Sequence, residues 1–207
     1  ITSVTLPSTV VSIWQGAFTG CTSLKTVKTH DKLNVINGQA FKGCISLENF
    51  DMPSNISAIH ADTFDGCTAL DIREYDNAYY FGNKENPYLV LLKAKDNKIT
   101  SCLVHSDTKV IAQSAFEGCG NLESIELPDT VCIINGNAFR DCVQLKSINI
   151  PESITKIDSG TFWGCVSLRS ITIPESVTQI MIYAFEGCSS LTEIKYNGTM
   201  AQWQLMY

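Results

Sequence analysis

The sequence predicts a β-rich solenoid, a pile of short coils with a parallel β-sheet along one face, and three observations carry that reading. A five-residue phrase recurs seven times: AFTGC, AFKGC, TFDGC, AFEGC, AFRDC, TFWGC and AFEGC, with its Phe at 18, 41, 64, 116, 139, 162 and 185. The gaps are 23, 23, 52, 23, 23 and 23 residues, and Cys21, Cys44, Cys67, Cys119, Cys142, Cys165 and Cys188 keep the same spacing. Around each phrase the apolar positions also repeat, most clearly in LRSITIPESVTQIMIYAFEGCSS (168–190). A fixed period in the twenties is the mark of coils that bury their apolar side chains only by stacking on one another.

Each element of the coil follows from local spacing. The I-x-I pair, Ile171 and Ile173 in the best copy, has the period of a strand and points one way from it. Pro174 follows; lacking an N–H, it ends the strand at a corner. Val177 and Ile180 line a second side, the Ala–Phe pair returns to the interior, and Gly187 supplies a corner suited to positive φ. Like positions of successive coils then lie about 4.8 Å apart, the spacing of paired strands. A Phe stacked on a Phe, with Ala (or Thr63 and Thr161) beside it, fits one hole repeatedly.

The cysteines admit three readings. Metal binding needs converging ligands at short spacing, whereas these form a line and no C-x-x-C occurs. Disulfides need facing side chains, whereas rungs of a ladder point in parallel and seven is odd. The spacing favours buried, reduced thiols that fill space beneath the rings. Cys102 takes a strand position and belongs to the core, and Cys132 takes a variable position open to solvent.

The motif SITIPESVTQI…AFEGCSSL resembles the BspA-like (Treponema pallidum-type) leucine-rich repeat family over most of the chain. The resemblance implies a right-handed leucine-rich-repeat superhelix with a parallel sheet on one face. It also implies a cell-surface or extracellular setting and a role in adhesion or host-protein binding. On this reading residues 1–207 form one leucine-rich-repeat domain: three coils of regular length (1–69), an irregular coil (70–98), four coils (99–190) and a partial coil or cap (191–207). Residues 70–98 lack the phrase. YLVLLKA (88–94), the KDNK turn and ITSCLVH (99–105) predict a β-hairpin insertion, Tyr88–Ala94 against Ile99–His105. In the last segment, Trp203 and Leu205 are expected to cover the end of the stack from a short helical turn.

Composition narrows the function. The net charge of −6 argues against nucleic acid, and no apolar run approaches the roughly 20 residues of a membrane span. The first residues show no secretory leader; Ile1 already sits in the repeat frame, as a mature form or a fragment would show. His30, His60 and His105 do not converge, no nucleophile–histidine–acid set is in frame, and no cofactor, metal or catalytic motif is expected. Binding then falls to the variable positions. Between the paired Ile positions the outward face presents Lys28, Asp51, Glu126, Asn149, Thr172 and Lys195, a small polar surface suited to a protein or glycan ligand. Met181, Ile182 and Tyr183, together with Trp163 and Trp14, stand at positions that are polar in sister coils and form candidate apolar patches. The expected function is a non-enzymatic cell-surface or secreted repeat scaffold for protein or glycan binding and adhesion, host extracellular proteins among the partners. The alternative is a spacer or stalk presenting another domain.

Overall fold

A computed structural model describes residues 1–206 of the chain, in a β-solenoid whose coils recur every 23 residues. Two columns of short parallel strands run along it. The I-x-I column contains Ser3–Thr5, Thr26–Lys28 and Asn49–Phe50, then Ser101–Leu103 and Ser124–Glu126, then Ser170–Ile173 and Glu193–Tyr196. The register is one coil per rung: Thr5 faces Lys28, Leu103 faces Glu126 and Thr172 faces Lys195. The second column uses the Val-x-x-Ile side, with two-residue strands such as Ser12–Ile13, Val35–Ile36 and Ala58–Ile59.

A third ladder runs through the repeated phrase. Phe18 N–H donates to Ala40 C=O at 2.8 Å, and Phe116 N–H donates to Ala138 C=O at 2.8 Å. The rings pile up accordingly. Phe116, Phe139, Phe162 and Phe185 stack with centroids 5.4, 5.6 and 5.5 Å apart and planes within 12°. Phe18, Phe41 and Phe64 do the same at 5.1 and 5.6 Å. At the end of the first pile Phe81 stands edge-on to Phe64 at 5.2 Å.

The cysteines are free thiols, and all of the ladder except Cys21 is buried. Their role is more specific than filling space. Within a coil the Cys N–H donates to the Phe carbonyl three residues earlier, as Cys142 does to Phe139 at 3.2 Å. That carbonyl has a second lone pair, and the thiol of the next coil donates to it. Cys44, Cys67, Cys142, Cys165 and Cys188 Sγ each lie 3.1 Å from the Phe carbonyl of the coil before. Cys102 is buried and Cys132 exposed, as their positions imply.

The interruption differs from the expected hairpin. Val90–Ala94 pairs antiparallel with Ala78–Phe81, which pairs antiparallel with Arg73–Tyr75. Ile99–His105 is not its partner: Ser101–Leu103 runs parallel to Ser124–Glu126. The reason lies in which column each segment can enter. Leu89, Val90, Leu91 and Leu92 are all buried; Val90 and Leu91 pair in parallel with Val110 and Ile111 and so take the Val-x-x-Ile slot of the missing coil. Ser101–Leu103 alternates exposed and buried, as the I-x-I slot requires. The true hairpin turn is Asp76–Asn77, with Asp76 at φ +48°, the kind of polar pair that two-residue hairpins favour. Beyond the wedge the stack closes again: Ala61 N–H donates to Gln113 C=O and Gln113 N–H to Ile59 C=O, at 2.9 and 2.8 Å.

At the far end Met200–Gln204 is a short helix capped by Thr199 and Gln202. Trp203 is half-buried, 5.6 Å from the Tyr196 ring. Leu205, expected to be covered, is 83% exposed, because a helix of this length turns only one side to the stack. Tyr207, the last residue of the expected cap, lies outside the described residues.

Burial raises the thiol pKa values, to about 12 for Cys67 and Cys102 and about 11 for Cys119. Unfolded thiols ionise from about pH 8.5, so above that pH the unfolded chain holds fewer protons and stability falls as pH rises. Each such thiol is expected to remove up to about 1.4 kcal/mol per pH unit until it ionises in the folded state. Urea unfolding midpoints at pH 8 and 10 measure this; Cys67→Ala should lower stability at pH 8 but flatten the slope. Alkylation of the native protein at pH 8 is expected to mark Cys132 first.

Candidate functional site

The six outward candidates are all exposed, since alternate residues of a strand address opposite faces and Val27, Phe50, Ile125, Ile148 and Ile171 hold the inner side. The column they form is not continuous. Lys28 and Asp51 belong to the first piece of the sheet, Glu126 to the second, Thr172 and Lys195 to the third. Asn149 lies between the second and third pieces, where residues 147–149 leave strand geometry. Its amide compensates: Leu127 N–H donates to Asn149 Oδ1 at 3.2 Å, and Asn149 Nδ2 donates to Leu127 C=O at 2.8 Å. The side chain thus takes the place of a strand partner, and its polar atoms are already engaged.

Two clefts open where the sheet parts. One, of about 420 Å³, runs between Ser147–Ile150 and Ser170–Thr172. The other, of about 280 Å³, lies at the interruption, between Asn49–Asp51 and the loop that carries Asn83 and Lys84. The repeat pattern could not reveal these clefts, because the pattern describes coils paired rung by rung and both clefts form where strand pairing opens. The one available signal was the missing phrase between Phe64 and Phe116.

The apolar candidates fall into two places. Met181, Ile182 and Tyr183 are exposed together, and Tyr183 occupies a turn at φ +62°. Trp163 joins them: its ring lies 5.5 Å from that of Tyr183. Trp163 is half-buried and not an open patch, since the Arg140 guanidinium lies 4.5 Å from its ring centroid, a cation–π contact. Trp14 is exposed at the opposite end of the stack and joins none of them.

The histidines at the corner position do structural work. His105 Nδ1 accepts the Asp107 N–H at 3.2 Å and His30 Nδ1 accepts the Lys32 N–H at 3.2 Å, so each imidazole closes the turn that proline closes elsewhere. His105 also stacks on Tyr88, centroids 3.7 Å apart, and is met edge-on by Tyr75. Tyr80 beneath them is fully buried; desolvation raises its phenol pKa well above the usual value, and its oxygen accepts the His105 N–H at 3.3 Å. No cluster of metal-ligating side chains occurs among the described residues, and no helix among them is long and apolar enough to cross a membrane.

The sequence profile described as "BspA type Leucine rich repeat region" matches residues 1–83 and 95–205 in six copies. The chain belongs to the BspA-type leucine-rich repeat family. A search of curated proteins finds no match. Among solved structures, this BspA-type chain is similar to a leucine-rich cell surface protein of Faecalibacterium prausnitzii A2-165, at 28% identity and TM-score 0.58. The match covers 100% of this chain and 62% of that one, so the BspA-type chain spans less than two thirds of that protein's length. The pneumococcal vaccine antigen PcpA matches at 19% identity and TM-score 0.50, covering 96% of this chain and 58% of its own. That likeness is one of fold. No catalytic family is indicated.

The bridging role of Asn149 makes a stability prediction. Asn149→Ala leaves the buried backbone of Leu127 without partners on that side and should cost about 1–3 kcal/mol in urea unfolding. Thr172→Ala, a neighbour on the same face without such bonds, should change stability by less than about 0.5 kcal/mol. Equal effects would remove Asn149 from its structural role.

Proposed function

We infer that the chain is a non-enzymatic binding scaffold of a bacterial surface protein, with the outward polar column as its ligand face. The observation that carries this is the division of labour within each strand. The inward residues stay apolar and buried, whereas the outward positions run Lys28, Asp51, Glu126, Asn149, Thr172 and Lys195, exposed once per coil along the three pieces of the sheet. A face of this kind offers hydrogen bonds and mixed charge at fixed intervals, with no aromatic anchor. It suits a protein or glycan that is met over many weak contacts. The surface setting of the Faecalibacterium prausnitzii relative supports an extracellular location for the chain, and adhesion is the activity such a scaffold would serve. The apolar group of Met181, Ile182 and Tyr183 is a second contact area outside the face.

An array of glycans and extracellular-matrix proteins tests this reading. A ligand of the face should lose about 5- to 30-fold in affinity on Glu126→Ala or Thr172→Ala, the equivalent of about 1–2 kcal/mol each. Unchanged affinity in both variants would clear the face of the role, and an array without any binder favours the spacer.

A further inference from the structure

The gap in the outward sheet at the interruption has two lips, and they are finished differently. On one side is the Ser101–Leu103 strand. Its free edge is sealed by the hairpin turn: Leu103 N–H donates to Asp76 Oδ2 at 2.8 Å, and Asn77 Nδ2 donates to Ser101 C=O at 2.8 Å. On the other side is Asn49–Phe50, whose one strand partner among the described residues is Thr26–Lys28. Asn49 and Asp51 N–H donate back to Lys25 and Val27 C=O, at 3.0 and 3.5 Å. Alternate residues of a parallel strand address opposite neighbours, so the N–H and C=O of Phe50 face the gap. Among the described residues nothing bonds to them. The lip is met by Asn83 Nδ2, at 3.2 Å from Met52 C=O, and by the Phe81 ring, 6.3 Å from that of Phe50.

The opposite wall is held in place. Asn83 Oδ1 accepts the N–H groups of Glu85 and Asn86, at 3.1 and 2.9 Å, and Asn86 Nδ2 donates to Asp107 C=O at 2.8 Å on the far side of the gap. At Gly82 an added Cβ would stand 1.9 Å from Asn86 O, so the wall closes tightly on itself and keeps the cleft open. Apolar surface of Leu70 and Phe81 lies within, while Glu48 and Asp51 flank the strand edge. Neither carboxylate has an ion-pair partner among the described residues, whereas Asp71 is paired with Arg73 at 2.6 Å and Lys84 stands on the far wall. Lys28 precedes Asp51 in the outward column, so a positive charge on the other side of Asp51 would continue the alternation.

We propose that this cleft takes an extended peptide segment as an added strand on the Phe50 edge, with an apolar side chain turned inward beside Phe81 and a basic one outward beside Asp51. Main-chain bonds to Phe50 supply the attachment, and the apolar floor and the Asp51 carboxylate of the cleft supply the selectivity, the physics of strand addition. The wall is preorganised, so little ordering of the protein opposes binding. The site shares Asp51 with the outward column but uses neither Glu126 nor Thr172, so its failure and the failure of that face are read from different variants.

The probe is an end-capped hexapeptide alternating lysine and isoleucine, with two controls: glutamate in place of lysine, and methylated backbone nitrogens on one edge. Residue-resolved amide exchange by NMR on the whole chain is the readout. In the free protein the Phe50 amide should exchange freely, and saturating lysine peptide should slow it by at least about tenfold. Asp51→Lys, at an exposed position, should weaken that peptide by about tenfold and reverse the preference toward the glutamate peptide, with an unchanged thermal midpoint. Glu126→Ala should leave the peptide's affinity as it was. A Phe50 amide already protected in the free protein, no slowing at millimolar peptide, equal binding of the methylated control, or indifference to Asp51→Lys would each overturn the proposal.

Discussion

The fold depends on one repeated junction, the Phe carbonyl that receives two hydrogens. Its own coil supplies a backbone N–H from Cys and the following coil supplies that coil's thiol. A carbonyl buried with one bond would tolerate many neighbours, but one with both lone pairs used sets the height and the rotation of the next coil together. The ring stack then follows, since Phe lies in the same turn as the carbonyl. Phe, Gly and Cys are therefore one device: the ring fills the interior, the left-handed residue turns the chain, and the thiol locks the coil to its predecessor. Asp141 occupies the glycine position at φ +57°, in the conformation that Asp tolerates better than most residues, and the lock still forms at Cys142.

Because each coil leans only on its neighbours, a fault stays local. The 52-residue interval replaces one coil with a three-stranded antiparallel patch. Its last strand enters one column, its first turn seals another, and the ring of Phe81 closes edge-on against Phe64. Cys119 is the first ladder thiol after the fault, and among the described residues no Phe carbonyl of the coil before accepts its thiol. The repair leaves the I-x-I sheet with a gap between Asn49–Phe50 and Ser101–Leu103. At that gap a distinct shape and a free backbone edge coincide.

Function in such a molecule separates cleanly from stability. The inward residues are held by the stack, and the outward ones are free to vary in charge and size without loss of fold. Asn149 is the exception: it lies on the outward face but substitutes for missing strand bonds. A residue's address in the repeat thus does not decide by itself whether it serves the fold or a ligand.

The sequence alone determined the solenoid, its period, the inward and outward positions and the family, and it favoured reduced thiols, because stacking in register turns identical spacing into identical surroundings. It also showed where the register would fail, since the phrase is absent there. Tertiary structure decided how that failure was resolved. Tyr88–Ala94 has strand chemistry compatible with several partners, and its choice of Ala78–Phe81 and the Val-x-x-Ile column rests on burial of both its faces against coils distant in the chain. The parting of the sheet at Asn149 and the burial of Trp163 against Arg140 and Tyr183 have the same origin. They are set by side chains that meet only after neighbouring coils have stacked, at spacings that no local pattern records.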